Sequence, residues 1–365
     1  MSRTLIGGIT NRFLMLIAAG LLVLSYVAAF IDPARVWYLV IPALLFLPFA
    51  ILNVFLLFWA LYRRSKAFVI PFVALLPTLF FVGRYIQIDR DSSLSDIKGS
   101  PVRIVTYNVG RFMAGYKETD RKACRDSIFR FLKDSDADII CLQEVRARSG
   151  TELEKVFAAN FRDYKLNYYV YTGKYGCFGN VILSRFPVTD KGVIRFEQSA
   201  NLAVYADVAL PGGTVRLYNC HFESYNISFP GIVKALSRSD NDIIRQTEQK
   251  VRHSQTLRPK QVDKVMTHIS QCKSPTVLCG DFNDNPMSYT YQTLIKGHND
   301  TFREAGKGFG ATYSMLWPAL RIDYILVPDN MQVLSHLSPK ISFSDHYPVI
   351  SEIISSEEQD NKEII

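Results

Sequence analysis

Three long apolar blocks fill the first quarter of this 365-residue chain and set the first limit on how it can fold. Phe13 to Ile31 and Val36 to Tyr62 carry no charge, and Phe68 to Ile88 carries only Arg84, near its end. Each block is about 20 residues or longer, enough for a helix to cross the roughly 30 Å hydrocarbon core of a bilayer. Pro42, Pro48, Pro71 and Pro77 would damage soluble helices but are tolerated in membrane ones. Trp37, Tyr38, Trp59, Tyr62 and Tyr85 lie near the block ends, where interfacial aromatics collect. A signal peptide is rejected for the first block. No small-residue cleavage site follows it, and two more blocks come directly after. Residues 1–88 are expected to form three transmembrane helices.

Charge in the short loops sets the orientation. Arg3 and Arg12 precede the first block, and Arg63, Arg64 and Lys66 separate the second from the third. Asp32 and Arg35 cancel between the first and second. The positive-inside rule puts the N-terminus in the cytoplasm and everything after Ile88 on the far side. In a bacterial cell this describes a multi-pass inner-membrane protein with a periplasmic domain. The formal charge of +8 mostly records that topology. Residues 1–88 hold seven basic residues against one acidic, net +6, which leaves 35 basic against 33 acidic, net +2, for the remainder. The charge is therefore poor evidence for a nucleic-acid partner, which would call for a basic face on the domain itself.

Residues 89–100, DRDSSLSDIKGS, read as a polar linker. Beyond it, strands are expected at Val102–Tyr107, Ala137–Leu142, Tyr168–Tyr171, Val181–Ser184, 276–279, 322–327 and 347–353. Leu202–Leu210 and Thr214–Cys220 read as a hairpin turning at Pro211-Gly212-Gly213. Asp120–Lys133 is amphipathic and helix-like, and Gly231–Cys272 reads as one long or broken helical stretch. Residues 354–365 form a polar tail. Many strands with few helices suggest an α/β fold of two sheets packed face to face with helices outside. Cys141, Cys220 and Cys279 lie in apolar runs and read as small buried hydrophobes. No metal-type cysteine spacing is present, and an extracytoplasmic domain permits disulfides without specifying any.

Polar residues collect at the strand ends. VLCGDFNDNP, Val277 to Pro286, puts Asp281 and Asn283 directly after a buried run. Alone, the segment reads equally as an Asn/Asp turn or as ligand groups on the lip of a sheet. Other strands end alike, in Asn108, Glu144 and His221, while Asp323 opens one strand and Asp345-His346 precedes the last. Carboxylate and carboxamide oxygens suit hard divalent cations, and no Cys/His cluster suits zinc. Histidines beside such carboxylates suit phosphate-ester hydrolysis.

TYNVGRF, LQEV, CHFES, GDFNDNP, RIDYIL and SDHYPV, in this order, resemble the endonuclease/exonuclease/phosphatase superfamily over roughly residues 101–353. The resemblance implies a four-layer α/β sandwich and a Mg²⁺- or Mn²⁺-dependent in-line attack of water on phosphorus, without a covalent intermediate. It implies Glu144 as principal metal ligand, with Asn108 helping to position metal or phosphate and Asp345 as a further metal-side carboxylate. Asp281 would orient or deprotonate the water, and Asn283 would hold the phosphate or a second metal. His221 and His346 would contact the phosphate, with Asp323 fixing the His346 tautomer. Asn180 and Thr312, the latter in FGATYS, are implied on the substrate side. Some nucleases of the family pair the first histidine with a carboxylate near Val181–Ser184. Here CFGNVILS offers none, and Glu223 shares the face of His221 only if its strand continues regularly. His253, His268, His298 and His336 match no motif and read as surface or structural.

The implied substrate is a phosphate ester: nucleic acid, a phospholipid headgroup or a soluble ester. A near-neutral domain argues against tight DNA binding. The basic stretch 234–260 is interleaved with Asp240, Asp242 and Glu248 and reads as a solvated helix face. Anchoring beside a bilayer keeps lipid substrates open. A catalytically silent scaffold would lack Glu144, Asp281 or His346, and all three are present. A transporter is disfavoured by few spans and by Asp32 as the only acidic residue near them. No obligate protein partner is evident.

Overall fold

Prolines decide how the apolar blocks fold. The computed structural model describes residues 2–88, 99–113, 120–173, 176–225, 227, 241–316, 318 and 320–355. Its N-terminal helices are α1 (Ser2–Ala28), α2 (Val40–Leu44), α3 (Phe46–Tyr62), α4 (Val69–Leu75) and α5 (Thr78–Phe81). Pro42, Pro48 and Pro71 are each the third residue of their helix, and Pro77 immediately precedes α5. First-turn N–H groups have no intrahelical acceptor, so proline removes no helical hydrogen bond there. Two helices are long and apolar enough to cross a membrane, Thr10–Ala28 and Lys66–Arg84. The second block is not one straight helix. Trp37–Leu44 and Phe46–Tyr62 meet at a 56° bend and make a third span only when taken together.

These helices form a compact unit, Met1–Tyr85, with Tyr225–Pro259 and Asp284–Thr293. Several of its buried polar groups find partners inside it, which offsets the cost of their burial. Ser25 Oγ donates to Pro42 O (2.7 Å), and Asn53 Nδ2 donates to Ala18 O (3.0 Å). Arg84 is buried: its guanidinium donates to Pro286 O (2.8 Å) and Gln292 Oε1 (2.9 Å) and lies over the Phe81 and Tyr291 rings.

The second unit comprises Ile86–Ser224, Lys260–Asn283 and Leu294–Ile365. Its first strands are β1 (Ile86–Gln87), β2 (Val102–Asn108), β3 (Ile139–Ala147), β4 (Lys165–Gly173), β5 (Gly176–Ser184), β6 (Val188–Arg195) and β7 (Leu202–Leu210). There follow β8 (Gly213–His221), β9 (Thr276–Asp281), β10 (His298–Asp300), β11 (Gly308–Phe309), β12 (Asp323–Pro328), β13 (Met331–Leu337) and β14 (Val349–Ser355). One six-stranded sheet has the order β13-β14-β2-β3-β5-β4 and the other β10-β12-β9-β8-β7-β6, while β1 and β11 make a small ribbon. Each large sheet is antiparallel except for one central parallel pair, β2 with β3 and β8 with β9.

Apolar alternation buries one face of each sheet against the other. Ile104, Cys141 and Ile182 from one meet Val204, Leu217, Cys279 and Ile325 from the other in a single cluster. Helices flank both outer faces. α6 (Arg121–Asp134) and α7 (Gly150–Asn160) bring Phe129, Leu132 and Phe157 onto Tyr107 and Leu142. On the other side, Val262 and Val265 of the helix Asn241–Ser270 are buried, and His268 Nδ1 shares a 2.8 Å hydrogen bond with Tyr218 OH.

The expected strands are present, some longer and some shifted by one or two residues at their starts, and the hairpin turn is two residues, Pro211-Gly212, closed by the Leu210–Gly213 pair. Several further elements were not legible in the apolar pattern. β6 and β13 are edge strands with broken alternation, and α7 has only two buried apolar residues. β14 runs to Ser355, two residues past its expected end. Residues 89–98, 231–240 and 356–365 of the expected linker, helical stretch and tail lie outside the described residues. All six cysteines are free thiols.

Gly280 permits the closest approach in the second sheet. It has φ +129°, and a Cβ there would lie 2.0 Å from Cys220 O. Gly280→Ala is expected to destabilise the fold by about 3 kcal/mol, through strained φ and displaced backbone. A chemical denaturation midpoint equal to that of the unaltered protein would contradict this close approach.

Candidate active site

The two parallel pairs bring four polar strand ends together. Asn108 ends β2, Glu144 lies late in β3, and His221 and Asp281 are paired last residues of β8 and β9. Asp323 opens β12 directly opposite Asp281. Local backbone aims each group. The β3–β5 register slips between Leu142 and Val145, and Glu144 has φ 55°. Such a bulge re-aims a side chain at a strand end. Gln143 instead stays buried, bonding Thr106 Oγ1 (2.9 Å) and Asn219 Oδ1 (2.7 Å). Asn283, at φ 52°, adopts the left-handed conformation that asparagine tolerates.

Asp281 is fully buried and accepts three hydrogen bonds: from Asn108 Nδ2 (2.8 Å), Asn283 N (2.8 Å) and Asn283 Nδ2 (3.1 Å). The bond to Asn283 N is an Asx turn, so the segment is a turn and a site at once. His346 Nδ1 is 2.9 and 3.2 Å from the two Asp323 oxygens, and its Nε2 is 3.8 Å from Asp281 Oδ2. Asp323 is available because neighbouring Arg321 pairs with Asp300 through two contacts, 3.0 and 2.7 Å. His221 Nε2 is buried without a hydrogen-bond partner, 3.7 Å from Asp281 Oδ2 and 3.8 Å from Glu144 Oε1.

The charges order one another. Burial works against the His346 cation, but Asp323 and then Asp281 outweigh it and raise its pKa to about 10. Burial pushes the Asp281 carboxyl up to about 6, against the pull of His346 and His221. Burial also opposes the Glu144 charge, yet His221, Arg111 and His346 hold that carboxyl below its usual range. Near neutrality the site thus holds ionised Asp281 and Glu144 beside a cationic His346.

The structure brings together Asn108, Glu144, His221, Asp281, Asn283, Asp323 and His346. Asp345 lies beside them. Its carboxylate accepts from Ser344 Oγ (3.3 Å), and its charge helps raise His346. Asn180, expected on the substrate side, is buried, and its Nδ2 donates to Leu202 O and Asn219 O, which ties the sheets together. Thr312, expected to face the ligand, is also buried. Its Oγ1 accepts from the Ile322 and Asp323 amides at 3.0 Å each, supporting Asp323 from beneath. Glu223 does not follow the face of His221. β8 ends at His221, and Glu223 bonds Ser199 and Gln261. His336 is structural, bonded to Thr301 and pushed down to about 3 by burial, and His298 bonds Thr276.

Sequence reasoning missed three participants that stand inside its own motifs. Arg111 Nε is 3.1 Å from Glu144 Oε2, with its guanidinium over the Phe178 ring. Ser344 Oγ donates to Asn108 O and accepts from His346 N. The Tyr313 ring lies against His346, centroids 5.2 Å apart. Only the motif positions could have flagged them.

The donor set fits a hard divalent cation. Asp281, Asp323 and His346 place ligand-type atoms within 4.8 Å of one another. Those three are already organised as a hydrogen-bonded charge series, and an imidazolium cannot ligate. Glu144 is the better metal-binding carboxylate, being partly exposed at the mouth. Asn108 Oδ1 accepts from Gly110 N (3.0 Å) and keeps a second lone pair that would be the one offered to a cation.

The model of the Endonuclease/Exonuclease/phosphatase family matches residues 105–346, and a domain of unknown function (DUF8431) matches residues 8–85. No curated protein matches the chain. Among solved structures it is similar to an endonuclease/exonuclease/phosphatase from Beutenbergia cavernae DSM 12333, with 18% identity over 70% of this chain and 72% of that one, TM-score 0.53. It is similar to humanized D. rerio TDP2, with 16% identity over 70% and 99% of the two chains, TM-score 0.52. The human Nocturnin catalytic domain with bound sulfate gives 15% identity over 70% and 93%, TM-score 0.51. At these identities the likeness speaks for the fold, two mixed sheets flanked by helices. With the family model spanning well over half of its length, the chain belongs to the endonuclease/exonuclease/phosphatase family, whose members generally hydrolyse phosphoester bonds.

Proposed function

We propose that the protein is a membrane-anchored, divalent-metal-dependent phosphoesterase that cleaves a phosphodiester or phosphomonoester by in-line attack of water, in the manner of a nuclease. One observation carries the reading: the buried, triply hydrogen-bonded Asp281 carboxylate has Nε2 of both His221 and His346 within 3.8 Å of Oδ2. Asp281 orients the water and takes its proton. His346, kept cationic by Asp323, meets the charge growing on the phosphoryl oxygens. His221 contacts the same phosphate, and Asn283 fixes both Asp281 and the phosphate. Mg²⁺ or Mn²⁺, held by Glu144 with Asn108 and with Asp345 on that side, would neutralise phosphate charge. Asn180 and Thr312 serve the substrate side by fixing the walls beneath it.

The exposed apolar side chains of the N-terminal unit support the anchor. Phe55, Phe58, Leu79 and Phe80 are all more than 60% exposed, a surface suited to lipid rather than water. With the bent pair counted as one span, three spans put the N-terminus inside and the 101–353 catalytic domain outside the cytoplasm. The anchor also favours a second reading, a phospholipid, sphingomyelin or inositol-phosphate headgroup as substrate, because it keeps the centre beside a bilayer.

Full-length protein in detergent with Mg²⁺ is expected to hydrolyse bis(p-nitrophenyl) phosphate and at least one of DNA, RNA, sphingomyelin or a phosphoinositide. Chelation should abolish turnover, and Asp281→Asn should lower kcat by about 10²- to 10⁴-fold. Undiminished turnover in that variant would sink the mechanism. Activity should rise with pH through about 6, as Asp281 loses its proton, and fall through about 10, as His346 loses its own. A bound cation would draw the lower limb further down. Asp323→Asn should move the upper limb to lower pH, and a profile unchanged in that variant would separate Asp323 from His346. A reporter fused after Ile88 should be active only outside the cytoplasm; activity inside would overturn the orientation.

A further inference from the structure

Two of the hydrogen bonds that Asp281 accepts come from Asn283, one from its amide and one from its side chain. Asn283 makes them from a left-handed backbone, φ 52°. A non-glycine residue stays in that region where its surroundings hold it on both sides. On one side β9 does so, its last residue paired with β8 and with β12. The other side is the segment Asp284–Thr293, which Asn283 enters by a peptide bond and which packs as part of the N-terminal apolar unit.

Within that unit the segment is tied down along its length. Arg84 ends the apolar helix Lys66–Arg84 and is buried. It donates to Pro286 O (2.8 Å) and to Gln292 Oε1 (2.9 Å), toward opposite ends of the segment, and lies 5.0 Å from the centre of the Tyr291 ring. Tyr85 OH donates to Asn285 Oδ1 (3.2 Å), and Met287 is fully buried in one apolar cluster with Leu22, Phe46 and Phe81. At the start of the segment Asp284 pairs with buried Arg258 (2.9 Å). A buried guanidinium whose rigid fork meets two acceptors fixes the distance between them, which a single flexible ammonium does less well.

We infer that Arg84 is a positioning residue for the phosphoester chemistry: by fixing Asp284–Thr293 it holds Asn283 left-handed and so keeps both Asn283 hydrogen bonds on Asp281. The N-terminal helices then take part in turnover and do more than place the enzyme at a bilayer. The inference rests on the phosphoesterase reading for its effect on turnover, but the tie itself can be tested without turnover.

Both measurements use full-length protein in detergent. Without substrate or metal, hydrogen exchange of the 284–293 amides should be about tenfold faster in Arg84→Met than in the unaltered protein. Unchanged exchange would overturn the inference. With Mg²⁺ and bis(p-nitrophenyl) phosphate, Arg84→Met should lower kcat about 10- to 100-fold, and Arg84→Lys should recover part of the loss. In an Asn283→Ala background Arg84→Met should cost little more, because the residue it acts through is gone. A loss of equal size in both backgrounds would mark general destabilisation and overturn the inference. An unchanged kcat beside faster exchange would mean that the Asx turn holds Asn283 unaided, and would overturn it too. Should Arg84→Met fail to fold, Gln292→Leu, which leaves the arginine in place, gives the same exchange comparison and the same cycle with Asn283→Ala. Faster exchange in a protein that hydrolyses no ester even when unaltered would keep the tie and sink the phosphoesterase reading.

Discussion

The hydrogen bond from Asn108 to Asp281, 2.8 Å long, joins the two sheets at the place where the polar strand ends meet. Stacked sheets ordinarily stand about 10 Å apart, too far for one short side chain to reach another without convergence. Deeper in the sandwich an apolar cluster fills that space. Toward the open end amides replace it. Gln143 bonds Asn219, Asn219 Nδ2 donates to Leu142 O and Val181 O, and Asn180 donates to Leu202 O and Asn219 O. Buried amides are costly unless bonded, and these donors are bonded across the sheets. The amide layer therefore sets the spacing between sheets, and with it the distance between Glu144 on one and Asp281 on the other.

That spacing places like charges close together, and the histidines make it tolerable. Asp281 and Asp323 stand opposite each other on neighbouring antiparallel strands, both buried. Two such carboxylates repel, which is part of why Asp281 holds its proton more tightly than usual. His346 lies against both, and its charge is stabilised by the pair more than burial destabilises it. The dependence is mutual. A neutral His346 would leave two buried anions facing each other, and a neutral Asp281 would take away one of the charges that keep His346 cationic. Arg321 could have ended this arrangement by pairing with its neighbour Asp323, but Asp300 holds it in a buried two-contact ion pair.

Most of the strand-end set was legible because period-two apolar runs stop abruptly, and a polar residue just past a buried strand stands on a lip. The motif order then separated site from turn. Backbone sign was not legible: Glu144 faces the centre because its strand bulges at φ 55°, which no apolar pattern announces. Partners were not legible either. Thr312 and Asn180 have the residue types of ligand contacts, yet each has its hydrogen bonds directed to backbone inside the fold. The N-terminal blocks were legible as apolar, and the first as a continuous helix, but the 56° bend in the second, between Leu44 and Phe46, was not. One readable signal stood in plain view for α7: Ser149 accepts from Glu152 N at 3.1 Å, a Ser-x-x-Glu start.

GDFNDNP shows how partners divide residues of one chemical type. Its first Asp/Asn pair, Asp281 and Asn283, closes an Asx turn and faces two histidines. The second pair, Asp284 and Asn285, is just as polar and just as buried, but its surroundings differ. Asp284 sits 2.9 Å from the buried Arg258 guanidinium, which also lies over the Tyr225 ring. Asn285 Oδ1 accepts from Met287 N (2.7 Å) and Tyr85 OH (3.2 Å). The guanidinium keeps its proton, whereas an imidazole can exchange one. The Asp281 carboxyl, buried and facing Asp323, is pushed up to about 6. Two buried carboxylates three residues apart thus differ in the cation each one meets, a guanidinium for Asp284 and imidazoles for Asp281.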